Sequence, residues 1–279
     1  MTSPAATPRP PAARPLALVK GAGDLATGVA LRLRSAGFSV VMTETAAPTA
    51  VRRTVAFSEA VYDGHATVEG VRASLAADAG EARRVVGRGE VAVVVDPAAA
   101  IRGDLKPALL VDAVVAKRNL GTSIADAPAV VALGPGFVAG RDAHAVIETC
   151  RGHSLGRVIK EGSALPNTGV PGDIGGHTAA RVMRAPCDGV VNEVLPICAE
   201  VRTGDVVATV GGVPVRAAVD GVLRGLLRPG TRVTEGTKMG DVDPRASLAH
   251  CHLVSDKALA VAGGVLEAAC SLLGGVRFD

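Results

Sequence analysis

The patterned part of the chain begins with a short apolar run, Leu16 to Lys20, bounded by glycine. It is too short for a helix and reads as a buried strand. Apolar residues then recur at Leu25, Val29, Leu31 and Leu33, a helical spacing that ends near Gly37. A second run, Phe38 to Met42, closes at Thr43-Glu44. Strand, loop, helix and strand in that order predict the first unit of a doubly wound parallel sheet. Further buried strands are expected at Glu90–Val95, Leu109–Val115 and Ala129–Leu133. Between Thr54 and Ala73 the pattern changes. Val55-Ala56-Phe57, Val61-Tyr62 and Ala66-Thr67-Val68 read as short extended pieces with a turn at Asp63-Gly64. They predict a hairpin insertion, serving as a lid or as a homo-oligomer contact.

The second half contains an internal repeat. Residues 184–210 match residues 216–242 at a constant offset. Arg184-Ala185 aligns with Arg216-Ala217, Asp188-Gly189-Val190 with Asp220-Gly221-Val222, and Gly204 with Gly236. Each half reads as strand, Asp-Gly turn, strand and second turn, and two halves together predict a small closed β-structure. The pattern resembles the biotinyl/lipoyl-type barrel–sandwich hybrid in fold but not in carrier activity. The turn joining the halves, Gly211-Gly212-Val213, has no lysine, and Lys238-Met239 falls in a closing strand instead. Residues 246–279 return to helix, capped by Ser255 or Asp256 and running through Leu273, with Gly263-Gly264 suited to close packing on the first domain.

The expected fold class is therefore α/β, with a Rossmann-like parallel-sheet domain, a small all-β domain like the barrel–sandwich hybrid, and a C-terminal helix. The boundaries are a disordered tail at 1–15, a nucleotide- or cofactor-binding domain at 16–159, a glycine-rich loop at 160–179, the β domain at 180–245 and the helical segment at 246–279.

Composition narrows the function. Hydrophobic residues make up 48% and charged residues 20%, which excludes wholesale disorder. Aromatics are 2%, with no Trp and one Tyr, so the core is aliphatic and few rings are available to stack bases. Of the net charge of +3, two units come from Arg9 and Arg14 in the tail. Neither nucleic acid nor an anionic membrane is implied as a partner. No apolar stretch approaches the roughly 20 residues of a membrane span, and residues 1–15 lack the apolar segment of a secretory signal. Five scattered cysteines, an odd number, fit a reducing cytoplasm better than a disulfide framework.

The candidate chemistry lies at strand ends. Gly21-Ala22-Gly23-Asp24-Leu25-Ala26 fits G-x-G-x-x-A. Gly21 permits the tight turn, Gly23 lets backbone N–H groups approach a phosphate, and Ala26 lets helix and strand pack closely. The helix N-terminus adds partial positive charge. Glu44, at the end of the second strand, is placed to accept ribose hydroxyls, while Asp24 departs from the pattern by setting a carboxylate in the loop. Other strand ends carry Asp96, Lys117, Arg118, Asn119 and the Gly134–Gly136 turn. The loop at 160–178, with Asn167 and Thr168, is either an anion cradle or a linker. Cys150-x-x-His153 and His250-Cys251-His252 do not complete a metal signature. No nucleophile elbow or Walker A loop is present, and no catalytic residue can be assigned.

Several long motifs carry a resemblance: VKGAGDLATGVALRL, VVDPAAAIRGDLKPALLVDAVVAKRN, ALGPGF, RGHSLG, PNTGVPGDIGG and RAPCDGVV. Together they resemble the YqeB-type selenium-dependent molybdenum hydroxylase system proteins over nearly the whole chain after the tail. The N-terminal unit is also similar to the Rossmann-type domain of xanthine dehydrogenase accessory proteins. The resemblance implies an accessory or maturation factor whose partners are a molybdenum hydroxylase or its maturation proteins. Joined to the glycine loop read above, it leads to the expectation of a phosphate-bearing ligand, molybdenum cofactor or a nucleotide, held at Gly21–Ala26 with Lys117, Arg118 and the 160–178 loop closing over it. Two other functions stay open: an NAD(P)-dependent oxidoreductase using the same loop and Glu44, and a non-catalytic scaffold docking a hydroxylase subunit through the β domain.

Overall fold

The computed structural model describes residues 14–274 apart from 168, 170, 171 and 173. Residues 1–13 of the expected tail and 275–279 of the expected helical segment lie outside the described residues. The first half forms strands β1 (Leu16–Lys20), β2 (Ser39–Glu44), β3 (His65–Val68), β4 (Val71–Ala76), β5 (Val91–Val95), β6 (Leu109–Asp112), β7 (Ala129–Leu133), β8 (Ala145–Ile147) and β9 (Val158–Ile159). The helices among them are α1 (Asp24–Ser35), α2 (Ala60–Asp63), α3 (Ala79–Gly87) and α4 (Arg102–Leu105). The strands make one nine-stranded sheet in the order β3-β4-β5-β2-β1-β6-β7-β8-β9. Pairing is parallel from β4 to β8, and the two edge strands run antiparallel. Parallel strands are covered on both faces, which explains why β1, β5 and β7 read as unbroken aliphatic runs rather than alternating ones.

The expected insertion at 54–73 is corrected in part: Ala66-Thr67-Val68 is extended, within β3 of an antiparallel hairpin, but the preceding pieces are not. Arg53–Val55 and Phe57–Glu59 form 3-10 turns and Ala60–Asp63 one helical turn, not extended pieces. Tertiary docking overrides strand propensity here. The Phe57 N–H donates to Thr27 Oγ1 and the Ser58 N–H to the Ala22 carbonyl, with the Phe57 ring fully buried. The hairpin turns at Glu69-Gly70, both left-handed, rather than at Asp63-Gly64. Because β4 pairs with β5, this hairpin is the edge of the main sheet. The strand expected at 109–115 stops at Asp112, where the chain turns away and Val115 takes a positive φ of 56°.

The second half forms β10 (Val182–Arg184), β11 (Gly189–Asn192), β12 (Glu200–Val201), β13 (Val206–Val210), β14 (Val213–Arg216), β15 (Gly221–Leu226), β16 (Arg232–Val233) and β17 (Lys238–Asp243). Strands β11, β12 and β13 have their counterparts in β15, β16 and β17, in the same order and at the same offset, as the repeat requires. The two halves interleave. One antiparallel sheet has the order β10-β17-β15-β12 and the other β14-β13-β11-β16, so each takes strands from both halves. Their facing Val, Leu and Met side chains make a third core beside the two that cover the large sheet.

Helix α5 (Asp256–Leu272) begins at Ser255, whose Oγ accepts from the Ala258 N–H. It lies against α1 on one face of the large sheet. Close approach there requires glycine: a Cβ on Gly28 would lie 2.9 Å from Ala258 Cβ, and one on Gly264 would lie 2.1 Å from the Gly156 carbonyl oxygen. Gly263 faces open space. Among the described residues no helix is long and apolar enough to cross a membrane.

The two adjacent glycines therefore respond oppositely to one methyl group. Gly264→Ala is expected to lower unfolding free energy by about 1–3 kcal/mol through overpacking. Gly263→Ala is expected to leave it unchanged or raise it by up to about 1 kcal/mol. Urea unfolding of the two variants checks this.

Candidate functional site

The chain leaves β1 toward β2 on one side, while β6 lies on β1's other side, so the loops after β1 and β6 diverge. In an open α/β sheet this switch point leaves a crevice beyond the strand C-termini. Gly21 turns the chain off β1 with a φ of +99°, and a Cβ there would lie 3.1 Å from the Ala113 carbonyl oxygen. Gly23 is the N-cap of α1, has no side-chain cap and would meet nothing within 4 Å if it carried a Cβ. The helix start thus opens on free space with N–H groups directed into it.

That space is a cavity of about 750 Å³. One wall is Gly23, Asp24 and Leu25, with Thr49–Arg52 from the segment after β2, Val115 and Lys117 after β6, and Cys150 and Arg151 after β8. The loop residues Leu165, Pro166, Asn167 and Gly169 form a second side. The opposite wall comes from the β region, through Arg181, Arg184, Arg224 and Lys238, and from Lys257 at the start of α5.

Among the described residues, eight cationic side chains line this cavity against two carboxylates, Asp24 and Asp241. Asp241 is already engaged, accepting from Arg181 at 3.0 Å and from Arg224 at 2.8 Å. Arg151 is paired with Asp256 at 2.9 Å. Among the described residues Arg52, Lys117, Arg184, Lys238 and Lys257 form no ion pair within the cavity. Arg52 and Arg224 are 8% and 7% exposed, and the Nε of each has no hydrogen-bond partner. A buried guanidinium N–H left unmatched is costly, so both arginines carry positive charge at the crevice wall that their protein partners satisfy only in part. Burial, reinforced by the charge of Arg224 and opposed by Asp24, lowers the pKa of Arg52. Loss of hydration in the crevice likewise pushes the Lys257 and Lys238 ammonium groups below the ordinary lysine value, although Lys238 as a whole residue stays exposed. Arg151 deepens the shift at Lys257, as Arg181 and Arg224 do at Lys238. An anion in the cavity would reverse these shifts.

The residues singled out from sequence divide into three groups. Gly23, Asp24, Leu25, Lys117 and Asn167 line the cavity. With its amide oxygen turned inward, Asn167 accepts from Lys117 Nζ at 3.1 Å. Gly21, Ala22 and Ala26 are buried supports beneath the loop. Glu44 also acts as support: its Oε2 accepts from the Ala22 N–H at 2.9 Å and its Oε1 from the Thr45 N–H at 2.7 Å. Gly134 and Gly136 hold the neighbouring turn, where a Cβ on Gly136 would lie 2.6 Å from Arg118 Cα. Asp96 lies apart and caps its own turn by accepting from the Ile101 N–H. Asn119 closes a turn onto Gly121 and Thr122, and Arg118 is exposed outside the cavity. Thr168 lies outside the described residues. Asp24 accepts from the adjacent Leu25 N–H at 2.9 Å, so it covers part of the helix start.

The cations of the far wall were missed because net charge averages over the chain. One local signal was present: Arg224 interrupts the apolar strand Gly221–Leu226, and a charge inside a buried run implies a specific partner. Among the described residues no group of three or more His, Cys, Asp and Glu side chains is arranged to hold a metal ion.

The fold and crevice define a mixed α/β protein with a cationic cleft between a large, mainly parallel sheet and paired antiparallel sheets. Comparison with known proteins places it more closely. The chain is 52% identical over 266 residues to the Escherichia coli (strain K12) protein YqeB, itself described only as uncharacterised. The match covers 95% of this chain and 49% of that relative, so the chain spans about half the relative's length. It is a YqeB-type protein. No family model matches. Among solved structures, the apo ectoine utilization protein EutE (DoeB) from Ruegeria pomeroyi is similar with a TM-score of 0.25 and 12% identity, covering 82% of this chain and 86% of that one. An aspartoacylase family protein from Mesorhizobium loti is similar with a TM-score of 0.22 and 15% identity, covering 30% and 27%. Likenesses this low define neither fold nor activity.

Asp243 supports the far wall from behind. It is fully buried; burial raises its pKa, but hydrogen bonds from Arg245 and the charge of Arg224 outweigh this and hold it well below the usual carboxylate range. A depressed folded pKa means its stabilisation is present above the ordinary value near 4 and is lost as pH falls toward the folded value. Asp243→Asn is expected to cost about 3–5 kcal/mol at neutral pH, because Arg224 keeps a buried charge with one partner fewer. Urea unfolding at neutral pH and at about pH 3 should show a smaller penalty under acid.

Proposed function

We propose that the crevice binds a phosphate-bearing cofactor or nucleotide, and that the protein serves as an accessory or maturation factor of a selenium-dependent molybdenum hydroxylase system. The observation that carries the ligand reading is the excess of cations lining the cavity, Arg52, Lys117, Arg184, Lys238 and Lys257 among them without an ion-pair partner among the described residues, with buried Arg52 and Arg224 incompletely hydrogen-bonded behind. The open helix start at Gly23 faces the same space and suits a phosphate. The cavity volume falls in the range of small-molecule sites. The system reading rests on the YqeB likeness and on the motifs that carry it.

On this reading residues 16–159 are a Rossmann-like cofactor-binding domain. Residues 180–245 are a β domain like the barrel–sandwich hybrid, a reading that its interleaved halves support. The helix at 246–279 fastens the two together. Molybdenum cofactor, a pterin carrying a phosphate or a nucleotide through a pyrophosphate, suits the site. Arg52, Lys238 and Lys257 would take its phosphates, and Val51, Val115 and Leu165 would offer an aliphatic face to its ring. When bound it supplies the redox chemistry of a hydroxylase; this chain's residues hold and shield it. The NAD(P)-dependent alternative is less favoured, since both Glu44 oxygens already accept backbone N–H groups. A molybdenum hydroxylase or its maturation proteins would be the partner, in the cytoplasm.

Calorimetric titration of the full chain with inorganic pyrophosphate, ADP and NAD checks the ligand reading. Pyrophosphate and ADP are expected to bind saturably, with dissociation constants on the order of micromolar. Affinity should fall as salt rises, and Lys238→Met and Lys257→Met should each weaken it about tenfold. No saturable binding, or binding indifferent to both substitutions, contradicts the assignment. Deleting the gene in a host that makes such a hydroxylase should abolish hydroxylase activity while leaving its polypeptide present.

A further inference from the structure

Behind the crevice, and not lining it, lies a second group of reactive side chains. The Cys198 Sγ is 3.3 Å from His252 Nε2. Cys198 has a positive φ of 77°, a conformation a non-glycine residue holds only when its surroundings enforce it. The enforcement comes from β15: the Cys198 N–H donates to the Leu223 carbonyl, and the Leu223 N–H donates to that of Ala199. Cys251 closes the 3-10 turn Leu248–Cys251, is fully buried, adjoins His252 in the chain and lies near enough to Cys198 for the two thiols to influence each other. The Thr54 hydroxyl donates to the Cys251 carbonyl, fixing the turn from the other side. Two thiols and an imidazole are thus brought together from two segments distant in the chain.

We propose that Cys198 and Cys251 are a redox-active thiol pair that exchanges with disulfides of small thiols, with His252 taking the Cys198 proton. A nucleophile within reach of a base is the arrangement such exchange requires. The two cysteines have separate tasks. Cys198 is half-buried and attacks; Cys251 is buried and resolves. The Cys198 proton passes to His252, and the thiolate attacks one sulfur of the disulfide. The S–S bond breaks, and the first small thiol leaves with the proton from His252. The Cys251 sulfur then attacks the Cys198 sulfur, its proton going to the second departing thiolate. The products are one Cys198–Cys251 disulfide and two small thiols, so the protein is oxidised and the small disulfide reduced.

The environment of Cys251 fits this order. Its thiol is pushed up to about 12, by burial first and then by the hydrogen bond and charge of Cys198, while Arg52 and Arg224 act the other way. Once Cys198 is in a mixed disulfide its charge and hydrogen bond are gone and the two arginines remain. Modification of Cys198 therefore removes its own share of the upward shift at Cys251, while the share due to burial remains. The groups facing the pair are His252 at Cys198, and Arg52 and Arg224 at Cys251. Arg52 is itself held by the carbonyls of His250 and Leu253, on either side of Cys251, so oxidation acts on the segment that positions the crevice arginine.

The test treats the reduced full chain with oxidised glutathione and maps the products by peptide mass spectrometry. A Cys198–Cys251 disulfide, forming ahead of adducts at Cys150, Cys187 and Cys270, is the expected result. His252→Gln should slow alkylation of Cys198 at least about threefold near pH 7, with the two proteins converging near pH 10. A persistent glutathione adduct on Cys198 of the unaltered chain, or no preference for Cys198 over the other cysteines, would overturn the proposal. So would a His252→Gln protein that reacts as fast as the parent at both pH values.

Discussion

The structure depends on two carboxylates buried in one strand. Asp241 and Asp243 on β17 sit 3% and 0% exposed, and neither could remain charged there without cations beside it. Arg181, Arg224 and Arg245 meet that need, with His250 Nδ1 3.2 Å from Asp243. The desolvation cost of such a network roughly cancels its attraction, so its value lies in placement more than in net stability. It holds Arg224 rigidly at the crevice wall with one N–H unmatched. It also anchors the turn at 248–251, whose His250 carbonyl grips Arg52. The sheets of the β region and the start of α5 are thereby tied to the loop after β2, and the cationic crevice lies where they meet.

The scarcity of aromatic residues has a matching consequence for packing. A core of Val, Leu, Ile and Ala gains less burial per residue than one with large rings, and this chain compensates through close backbone approach. Gly28 and Gly264 let α5 lie against α1 and the loop before β9, and Gly225 lets β15 approach Val51, whose carbonyl oxygen would lie 2.8 Å from an added Cβ. The last contact sets the β region directly against the segment that carries Arg52. Backbone closeness and the buried ion network act on the same seam.

The local pattern foretold much of the fold. The runs at Leu16–Lys20 and Ala129–Leu133 became strands at those residues, because fully buried parallel strands are written as uninterrupted aliphatic stretches. The repeat was legible because the strands and turns of its first half recur in the second at one fixed offset. The interleaving of its halves was not legible, since pairing across sheets leaves no mark on local sequence. Phe57 failed as a strand residue for a similar reason: its conformation is set by α1 above it. At the crevice, the glycine loop and Lys117 could be read from spacing after strands. Arg52, Arg224, Lys238 and Lys257 could not, because they converge from separate segments and their charge disappears into a nearly neutral total.

If this seam holds a phosphate-bearing anion, as proposed, that anion must also stabilise the fold. Thermal unfolding should be followed with increasing inorganic pyrophosphate, against sodium chloride at equal ionic strength. A ligand of the folded state adds about 2.7 kcal/mol at one hundred times its dissociation constant. The midpoint is expected to climb steadily with pyrophosphate and not with chloride, and the climb to be lost in the Lys238→Met, Lys257→Met double variant. A midpoint that responds equally to both salts, or to neither, would contradict the proposal.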